Sequence, residues 1–471
     1  MPVQLSRLCH AGGAAVAAFW LYDIGTREWS VRHTWPSALT QYFSSWFLAA
    51  YGRRQLLRLR REAERGEEVQ RRLLTEILQR HQGQDTTMAT VEERRHLQGV
   101  ATYNLFRESQ PITCRGDYNK GGPFHNEGEL AQTKSGHEEM RRIFFYRAVL
   151  TSFAVLAQFF PESLDELQRA AVLSSVRDVL LLLGLSEMAS QRLSFVLASP
   201  LEAYDLSDAD RLYVHALFAL KDPALGIIQS GSAWGVRRLL QAAKENRRHL
   251  VQDMRNGHLW DRQLPEAAPE PKLRAALDVA LSGPDGHRSR EVDRMLKTSA
   301  VASDLWPRLK VVVITGEASL DESLKEAVGE VPIYGPLYTS DEGYIGINLF
   351  PELPFGVWTY LLDPGSMFFE LAPAGSHDVH PDMVIPAWEA VVGQEYDLLV
   401  TTHSGLCRCR LGDRVRVHAM FGQMPIVSVA KGDTGLDCPS VHCCIAPARL
   451  VGVASSTSSI HVQRGLKAVG L

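Results

Sequence analysis

The residues best suited to chemistry lie in a stretch from Tyr334 to Asn348, which combines aromatic, hydroxyl and carboxylate side chains between glycines. At its centre is the run Tyr338, Thr339, Ser340, Asp341 and Glu342. Hydroxyls and backbone N–H groups can face a phosphate, a Tyr ring can cover a base, and a carboxylate can hold a magnesium ion. The pattern predicts a nucleotide site, although turns between buried strands use the same residue types.

A second polar run follows further along the chain. Residues 396 to 417 begin as an apolar strand, pass a Ser-Gly turn and continue into an Arg-Leu-Gly-Asp run that ends at Asp413. Together the two runs resemble the Gretchen Hagen-three family of acyl-acid amido synthetases, a branch of the adenylate-forming enzymes. Tyr338–Glu342 is similar to the family's Tyr-x-Ser-Ser-Glu motif, and Arg410–Asp413 to its Arg-x-Gly-Asp motif, with Cys409 in place of an aromatic residue. The resemblance is strongest to the animal members, called Gretchen Hagen-three domain-containing proteins.

The resemblance implies an enzyme that binds ATP with Mg²⁺, activates a carboxylic acid as an acyl-adenylate, and passes the acyl group to an amine, usually that of an amino acid. It implies that Glu342 ligates the magnesium ion as the catalytic residue, that Asp413 accepts hydrogen bonds from the ribose, and that Tyr338 stacks on adenine. Thr339 and Ser340 would lie near the α-phosphate. Such catalysis depends on positioning and charge neutralisation.

Two departures from the family pattern fall on the phosphate side. The family's Ser- and Gly-rich phosphate loop is represented by Thr133–Glu139, in which Ser135 and Gly136 fit and are predicted to bind the cofactor. The hydroxyl and glycine expected next are replaced by His and Glu, and Glu139 adds a further carboxylate where like charges repel. Asp341 replaces a hydroxyl and cannot donate to a phosphate at neutral pH. We interpret the loop as degenerate, and the start of an exposed helix before Met140 explains it better.

The composition limits the class of protein. A chain of 471 residues corresponds to about three domains, or to one large adenylating core with additions. With 45% hydrophobic and 22% charged residues it can bury a sizeable core, and a net charge of −4 argues against nucleic-acid binding. The seven cysteines form no disulfide framework or trusted zinc pattern, so a reducing compartment, the cytoplasm, is favoured.

Residues 1–66 are expected to form an N-terminal extension. The apolar run Gly12–Tyr22 is too short to span a bilayer and could be part of a weak signal peptide. The aromatic segment Tyr42–Tyr51 runs into basic residues up to Arg65, a pattern that could lie on a membrane surface. The alternative is an amphipathic helix docked on the protein. Location in the endoplasmic reticulum or on a membrane is therefore the alternative to the cytoplasm.

Hydrophobic periodicity predicts how the remaining chain folds. Helices are predicted at Glu68–Arg80 and Ile143–Phe160, followed by a helix–strand–helix unit over Arg211–Asn256. Gly257–Arg290 is predicted to be an exposed connection with one helix, Lys272–Leu281. From Leu305 short apolar strands alternate with helices and turns. The predicted strands are Leu309–Thr315, Ile345–Leu349, Gly356–Leu362, Phe368–Leu371 and Val391–Thr401, with a helix at Leu320–Val328.

These elements predict an α/β fold over residues 67–427, an adenylate-forming-enzyme-like large domain with mixed sheets and a helical N-terminal part. In the family a mobile C-terminal lobe follows, and here residues 428–471 are expected to be an irregular tail in its place. The function expected is therefore an acyl-acid amido synthetase-like protein with degenerate or lost catalysis. The alternative is a non-catalytic nucleotide-binding or scaffold protein, in one version associated with a membrane surface. Carboxylic and amino acids are the expected substrates, and the oligomeric state is undetermined.

Overall fold

The computed structural model describes residues 18–80, 100–114, 134–165, 167–173, 196–259, 271–298, 301–316, 322–340, 342–351, 358–376 and 379–430. Its α-helices are α1 (residues 18–26), α2 (Trp35–Glu64), α3 (Gly66–Arg80), α4 (Val100–Ser109), α5 (Lys134–Ile143), α6 (Leu150–Phe159), α7 (Glu162–Asp165), α8 (Asp208–Lys221), α9 (Ala233–Glu245), α10 (Arg247–Asn256), α11 (Pro271–Ala280), α12 (Gly286–Thr298), α13 (Ala302–Leu305) and α14 (Glu322–Val328). A π-helical turn, Phe144–Val149, joins α5 to α6.

The strands form two sheets. They are β1 (Thr113–Cys114), β2 (Arg169–Val172), β3 (Leu225–Ser230), β4 (Val311–Ile314), β5 (Ile333–Tyr334), β6 (Leu337–Ser340), β7 (Gly343–Ile347), β8 (Tyr360–Leu362), β9 (Phe368–Pro373), β10 (Ile385–Pro386), β11 (Glu395–Thr401), β12 (Cys409–Phe421) and β13 (Met424–Ala430). The predicted α/β class with mixed sheets and a helical N-terminal part is confirmed.

The smaller sheet is parallel, in the order β2-β3-β4-β5. Its strand β4 is a run of Val and Ile buried on both faces, as expected of a parallel strand covered by helices, and it confirms the strand predicted at Leu309–Thr315. Helices α8, α9 and α10 surround β3 in the predicted helix–strand–helix order. The carboxyl ends of β3 and β4 therefore meet at one edge, where Thr315 N donates to Ser230 O at 3.0 Å.

The larger sheet has nine strands in the order β10-β9-β11-β12-β13-β8-β7-β6, with β1 parallel beside β12. The other pairings are antiparallel. Strand β12 runs for 13 residues and pairs with β13 through a hairpin at Gly422, whose positive φ of 58° suits glycine. Asp413 is the fifth residue of this strand.

The N-terminal helices pack against this core. Pro36 in the first turn and the Thr34 cap start α2, which then runs along α6. Gly52 lies where the two helices are in contact. A larger residue would not fit, because a Cβ at Gly52 would overlap the carbonyl oxygen of Leu150. Residues 35–64 thus form a helix docked on the protein, as in the alternative considered from the sequence. The predicted domain limits fall after the first residue of α3, Gly66, and, at residue 427, within β13.

The prediction for Gly257–Arg290 was incomplete. The expected helix is present as α11, but a second helix, α12, begins at Gly286. Gly283 and Pro284 look like breakers in the sequence, whereas Asp285 caps the new helix by accepting from Arg288 N at 2.8 Å. The buried Arg288 side chain then donates to Leu220 O. This helix was missed because two of its four buried residues, Arg288 and Ser289, are polar.

Within the described ranges, one helical stretch, Glu138–Phe159, is long and apolar enough to cross a membrane by length and composition. Half of its most apolar window is buried inside the protein. Core helices of globular proteins pass the same test, so the stretch is weak evidence for a membrane span.

Candidate functional site

The first predicted motif forms a tight hairpin. Strands β6 and β7 pair with Tyr338 opposite Gly346 and Ser340 opposite Gly343. The Ser340 hydroxyl accepts from Glu342 N at 3.2 Å and so shapes the turn. Gly343 follows with a φ of 132°, a conformation that favours glycine. The hairpin places Glu342 at its tip, with Asp341 beside it outside the described residues.

The second motif meets the first through a hydrogen bond. Tyr338 Oη donates to Asp413 Oδ2 at 2.6 Å, across the gap between β6 and β12. The Tyr338 side chain is only 3% exposed, and its ring centroid lies 5.6 Å from that of Tyr360. Burial and the Asp413 carboxylate raise the pKa of Tyr338 well above its ordinary value, so the hydroxyl remains a donor at neutral pH. The Tyr338 hydroxyl therefore positions the Asp413 carboxylate. Stacking of the Tyr338 ring on adenine stays a prediction.

The electrostatics of this site centre on two carboxylates. Burial and the Glu342 charge raise the pKa of Asp413, and the Tyr338 hydroxyl offsets part of that rise. A cation or hydrogen-bond donor between the two carboxylates would relieve this cost. The described residues include no group of three or more His, Cys, Asp and Glu side chains that could hold a metal ion. Mg²⁺ usually takes one or two protein carboxylates with substrate phosphates and water, so Glu342 fits that role beside a bound nucleotide.

The helix that begins with the predicted phosphate-loop residues contacts the hairpin through Met140. Ser135 and Gly136 are in the first turn of α5, and Thr133 lies outside the described residues. Met140, later in the same helix, lies against Gly343. A Cβ added to Gly343 would come within 2.6 Å of the Met140 ε-carbon. The structure therefore brings the helix that carries Ser135 and Gly136 against the turn that carries Glu342. The roles of these residues, and of Thr339 and Ser340, remain predictions.

A buried cluster behind β12 was not foreseen from the sequence. Arg408, with a φ of 45° and no exposed surface, pairs with Glu370 at 3.0 Å and donates to Gln110 O at 2.9 Å. Tyr103 donates to the same glutamate at 3.3 Å. Arg410 Nη1 reaches Ser376 O at 3.0 Å, so it holds a neighbouring turn. These contacts fix the start of β12 ahead of Asp413. The alternation of Cys and Arg over residues 407–410 was the available sequence signal for this cluster.

A second unforeseen cluster holds the helix that follows the predicted phosphate loop. Arg147 lies in the π-helical turn and donates through Nε to both Asp363 oxygens at 3.0 Å. Its Nη2 also donates to Glu62 at 2.5 Å. A single charged residue inside the apolar run Ile143–Phe160 was the available signal. π-Helical turns are often found at functional sites, and this one contacts β7.

Comparison with solved structures defines the class of fold. The AtGH3.15 acyl acid amido synthetase in complex with 2,4-DB matches with a TM-score of 0.61 over 80% of this chain and 70% of that chain. A second solved structure, GH3.15 acyl acid amido synthetase, matches with a TM-score of 0.58 over 77% of this chain and 68% of that chain. Sequence identity is 18% in both, so the likeness shows the fold. The chain thus has the α/β fold of these synthetases.

The family follows from the sequence comparisons. Residues 180–333 match the GH3 family N-terminal domain and residues 360–431 match the GH3 family central domain. Over these two regions the chain is similar to the GH3 family, and the resemblance inferred from its motifs is confirmed. Both nucleotide motifs lie beside or inside these matches, with Asp413 in the central domain.

Two curated relatives illustrate the range of the family. The GH3 domain-containing protein of Homo sapiens is 33% identical over 218 residues, which span 45% of this chain and 37% of that protein. The probable indole-3-acetic acid-amido synthetase GH3.2 of Oryza sativa subsp. japonica is 30% identical over 245 residues, spanning 49% of this chain and 39% of that protein. The matches therefore cover well under half the length of these relatives.

The raised pKa of Asp413 generates a prediction about stability. The folded state holds this proton more tightly than the unfolded chain, where Asp titrates near pH ~3.9. Asp413 therefore reduces stability as the pH rises from that value through its folded pKa. We expect Asp413→Asn to unfold at higher urea concentration than the parent at pH 7, with the difference closing near pH 3.5 (about the unfolded pKa).

The exposed Asp205→Asn serves as the matched control, because it removes a carboxylate outside the site. It should leave the urea midpoint nearly unchanged at both pH values. An Asp413→Asn protein that is less stable than the parent at pH 7 would contradict the assignment, since the amide still accepts from Tyr338.

Proposed function

We propose that this chain is an acyl-acid amido synthetase-like protein that keeps the nucleoside side of an ATP site and has lost efficient phosphate chemistry. The observation that carries the proposal is the hydrogen bond of 2.6 Å between Tyr338 and Asp413, which joins the two motifs beside Glu342. The match to the GH3 family domains supports it, as does the similarity to the rice relative, a probable indole-3-acetic acid-amido synthetase. Carboxylic and amino acids are the substrate classes this implies.

Each residue of the proposed site would have a separate role in binding ATP. A magnesium ion bound with ATP would neutralise phosphate charge, and Glu342 would hold it. Asp413 would accept hydrogen bonds from the ribose hydroxyls, and its carboxylate is kept in place by the buried Tyr338 hydroxyl. Thr339 and Ser340 lie on the same hairpin and would face the α-phosphate. Charge-assisted hydrogen bonds of this kind contribute about 1.5–3 kcal/mol each.

The phosphate side supports the loss of efficient catalysis. In the sequence, His137 and Glu138 replace the hydroxyl and glycine of the family loop, and Asp341 replaces a hydroxyl next to Glu342. Added carboxylates repel phosphate, and removal of one donor to a developing charge typically costs about 10²–10³ in rate. The proposed protein therefore binds nucleotide weakly and forms amide slowly or not at all.

Calorimetric titration with ATP and Mg²⁺ tests the binding site. We expect weak binding by the parent, and a loss of about 10- to 100-fold in Glu342→Gln and in Asp413→Asn because each removes a charge-assisted contact. Glu68→Gln is the control, since it removes an exposed carboxylate from α3. Parent affinity in both site variants would show that ATP binds elsewhere, and no binding by the parent would favour the scaffold alternative.

A pyrophosphate-release assay with a panel of acyl acids and amino acids tests catalysis. We expect the parent to release pyrophosphate no faster than Glu342→Ala, because the phosphate contacts are altered. Turnover well above that variant, with an amide product detected by mass spectrometry, would show that the altered loop still works. The proposal of weakened catalysis would then be wrong while the nucleotide site would stand.

A second candidate function, attachment to a membrane surface, is favoured by one observation. Eleven large apolar side chains between residues 19 and 57 are exposed, and we call this set the aromatic surface. Its members are Phe19, Trp20, Leu21, Tyr22, Val31, Trp35, Phe43, Trp46, Phe47, Tyr51 and Leu57. Exposed arginines, including Arg53, Arg54 and Arg58, continue along the same helix. Trp and Tyr beside basic residues are typical of surfaces that contact anionic lipid headgroups.

Vesicle co-flotation tests this second candidate. We expect the parent to float with vesicles containing phosphatidylserine. Trp46→Ser/Phe47→Ser should bind about tenfold less, because it removes two exposed rings that would enter the lipid. Val391→Ser/Val392→Ser, an equally exposed apolar pair elsewhere, is the control. If the two double variants float alike, or the parent does not float, the aromatic surface does not bind membranes.

A further inference from the structure

The residues between α1 and α2 pair with the edge of the smaller sheet. Trp29 forms an isolated parallel bridge with Leu167, which lies just before β2. Ser30 N donates to Leu167 O at 2.9 Å, and Leu167 N donates to Glu28 O at 3.0 Å. We call residues 28–33 the edge segment. It connects α1 and α2 to the smaller sheet and contains no residue of the candidate nucleotide site.

Three cations lie in or beside the edge segment. Arg169 and Lys221 are 6% and 8% exposed, and Arg32, within the segment, is half-buried. Arg169 donates to Leu197 O at 2.8 Å and to Arg32 O at 3.1 Å. Lys221 donates to Gly283 O at 2.8 Å. A carbonyl oxygen accepts a hydrogen bond but carries no net charge, so these contacts leave the cations without a counter-charge.

One buried carboxylate compensates part of this positive charge. Asp222 is 1% exposed and accepts from Ser30 Oγ, and from Ala224 N at 3.0 Å. Its charge attracts both Arg32 and Arg169. Among the described residues, the hydrogen bonds to Asp222 come from a hydroxyl and an amide. The two guanidinium groups therefore share the charge of one carboxylate.

The remaining titratable groups leave an excess of one positive charge. The half-buried Asp285 attracts Lys221. His33 is neutral at neutral pH, because burial and the nearby Arg169 lower its pKa to about 4. Among the described residues, the cluster thus contains three cations and two carboxylates. A buried charge without a partner is costly, so a bound anion would stabilise this cluster.

The Nε atom of Arg169 supplies independent evidence for a ligand. This atom is buried, and within the described part of the chain no group accepts its hydrogen. Burial and the Arg32 charge lower the pKa of Arg169 to about 10, so the guanidinium stays charged at neutral pH. A buried donor that carries charge costs more to leave unpaired than a neutral one. An anion that accepts from Nε would satisfy the donor and neutralise the excess charge together.

We propose that this cluster binds a small monovalent anion, chloride, which accepts from Arg169 Nε and neutralises the excess charge of Arg169 and Arg32. A single excess positive charge matches a monovalent anion better than sulfate or phosphate, which carry more charge. A water molecule would satisfy Nε but would leave the excess charge in place. The bound anion stabilises the edge segment on the smaller sheet. The site does not depend on the proposed nucleotide site.

Chloride is the probe, and its binding is measured by the broadening of the chlorine NMR signal with the full-length protein. Gluconate replaces chloride so that the ionic strength stays constant. We expect saturable broadening by the parent, and about tenfold weaker affinity in Arg169→Met, which removes a charge-assisted contact. Arg308→Met is the matched control, because Arg308 pairs with Glu28 of the edge segment but is 45% exposed. It should change the affinity by less than about twofold.

A second variant reverses the expected sign. Asp222→Asn removes one negative charge from the cluster and should bind chloride about three- to tenfold more tightly than the parent. A purely structural role of Asp222 predicts the opposite, so this variant tests the charge argument even if Arg169→Met does not fold. The proposal is overturned by a parent without saturable broadening, by unchanged affinity in Arg169→Met, or by weaker binding in Asp222→Asn.

Amide hydrogen exchange tests whether the anion stabilises the edge segment. Replacing gluconate with chloride should slow the exchange of the Ser30 amide about tenfold in the parent and leave it unchanged in Arg169→Met. Exchange that does not depend on chloride would show that water occupies the site. An equal effect on amides throughout the chain would show a general salt effect, and either result would overturn the proposal. ATP is absent from these measurements, so failure of the nucleotide site would leave their outcome unaffected.

Discussion

The structure depends on the buried ion pair between Arg147 and Asp363. The guanidinium bridges the π-helical turn, the turn after β8 and, through Glu62, the end of α2. Gly365 is required beside it, because a Cβ there would come within 2.5 Å of Arg147 Cζ. Removing one member of a buried pair typically costs about 3–5 kcal/mol, since the partner is left charged and desolvated. One cluster therefore joins the N-terminal helices to the large sheet.

This anchor also sets the geometry of the candidate site. Arg147 holds the long helix whose first part, α5, rests through Met140 on the β6–β7 turn. The turn presents Glu342, and Tyr338 on the same hairpin reaches Asp413 on β12. The helix that carries the predicted phosphate residues and the sheet that carries the two motifs are thus fixed relative to each other. A small displacement of the π-helical turn would alter the phosphate side before it altered the Tyr338–Asp413 contact.

Much of the local structure could be predicted from the sequence, because it depends on short-range patterns. The Val run of β4, the helix Gly66–Arg80 and the two motifs all have strong local signals. The hairpin at Ser340 was predicted only as a loop, because pairing with β7 is set by register between two strands. Arg147 and Arg408 were not assigned partners, since Asp363 and Glu370 are brought to them only by tertiary folding. Long-range polar clusters have no periodicity to reveal them.

Contacts to the nucleoside and contacts to the phosphate would contribute differently to binding and to catalysis. Interactions that are equally strong in the bound and transition states improve binding without accelerating the chemical step. Under the proposed function Tyr338 and Asp413 would make contacts of that kind, because a ribose does not change during acyl transfer. Acceleration would require contacts at the phosphate, where charge develops. The sequence has carboxylates at Glu138, Glu139 and Asp341 in the segments that the family motifs predict to lie there. Retention of the first set with alteration of the second would give a nucleotide binder with little catalytic power. Glu138 and Glu139 can change independently of Tyr338 and Asp413, because they lie on α5 and not on β6 or β12.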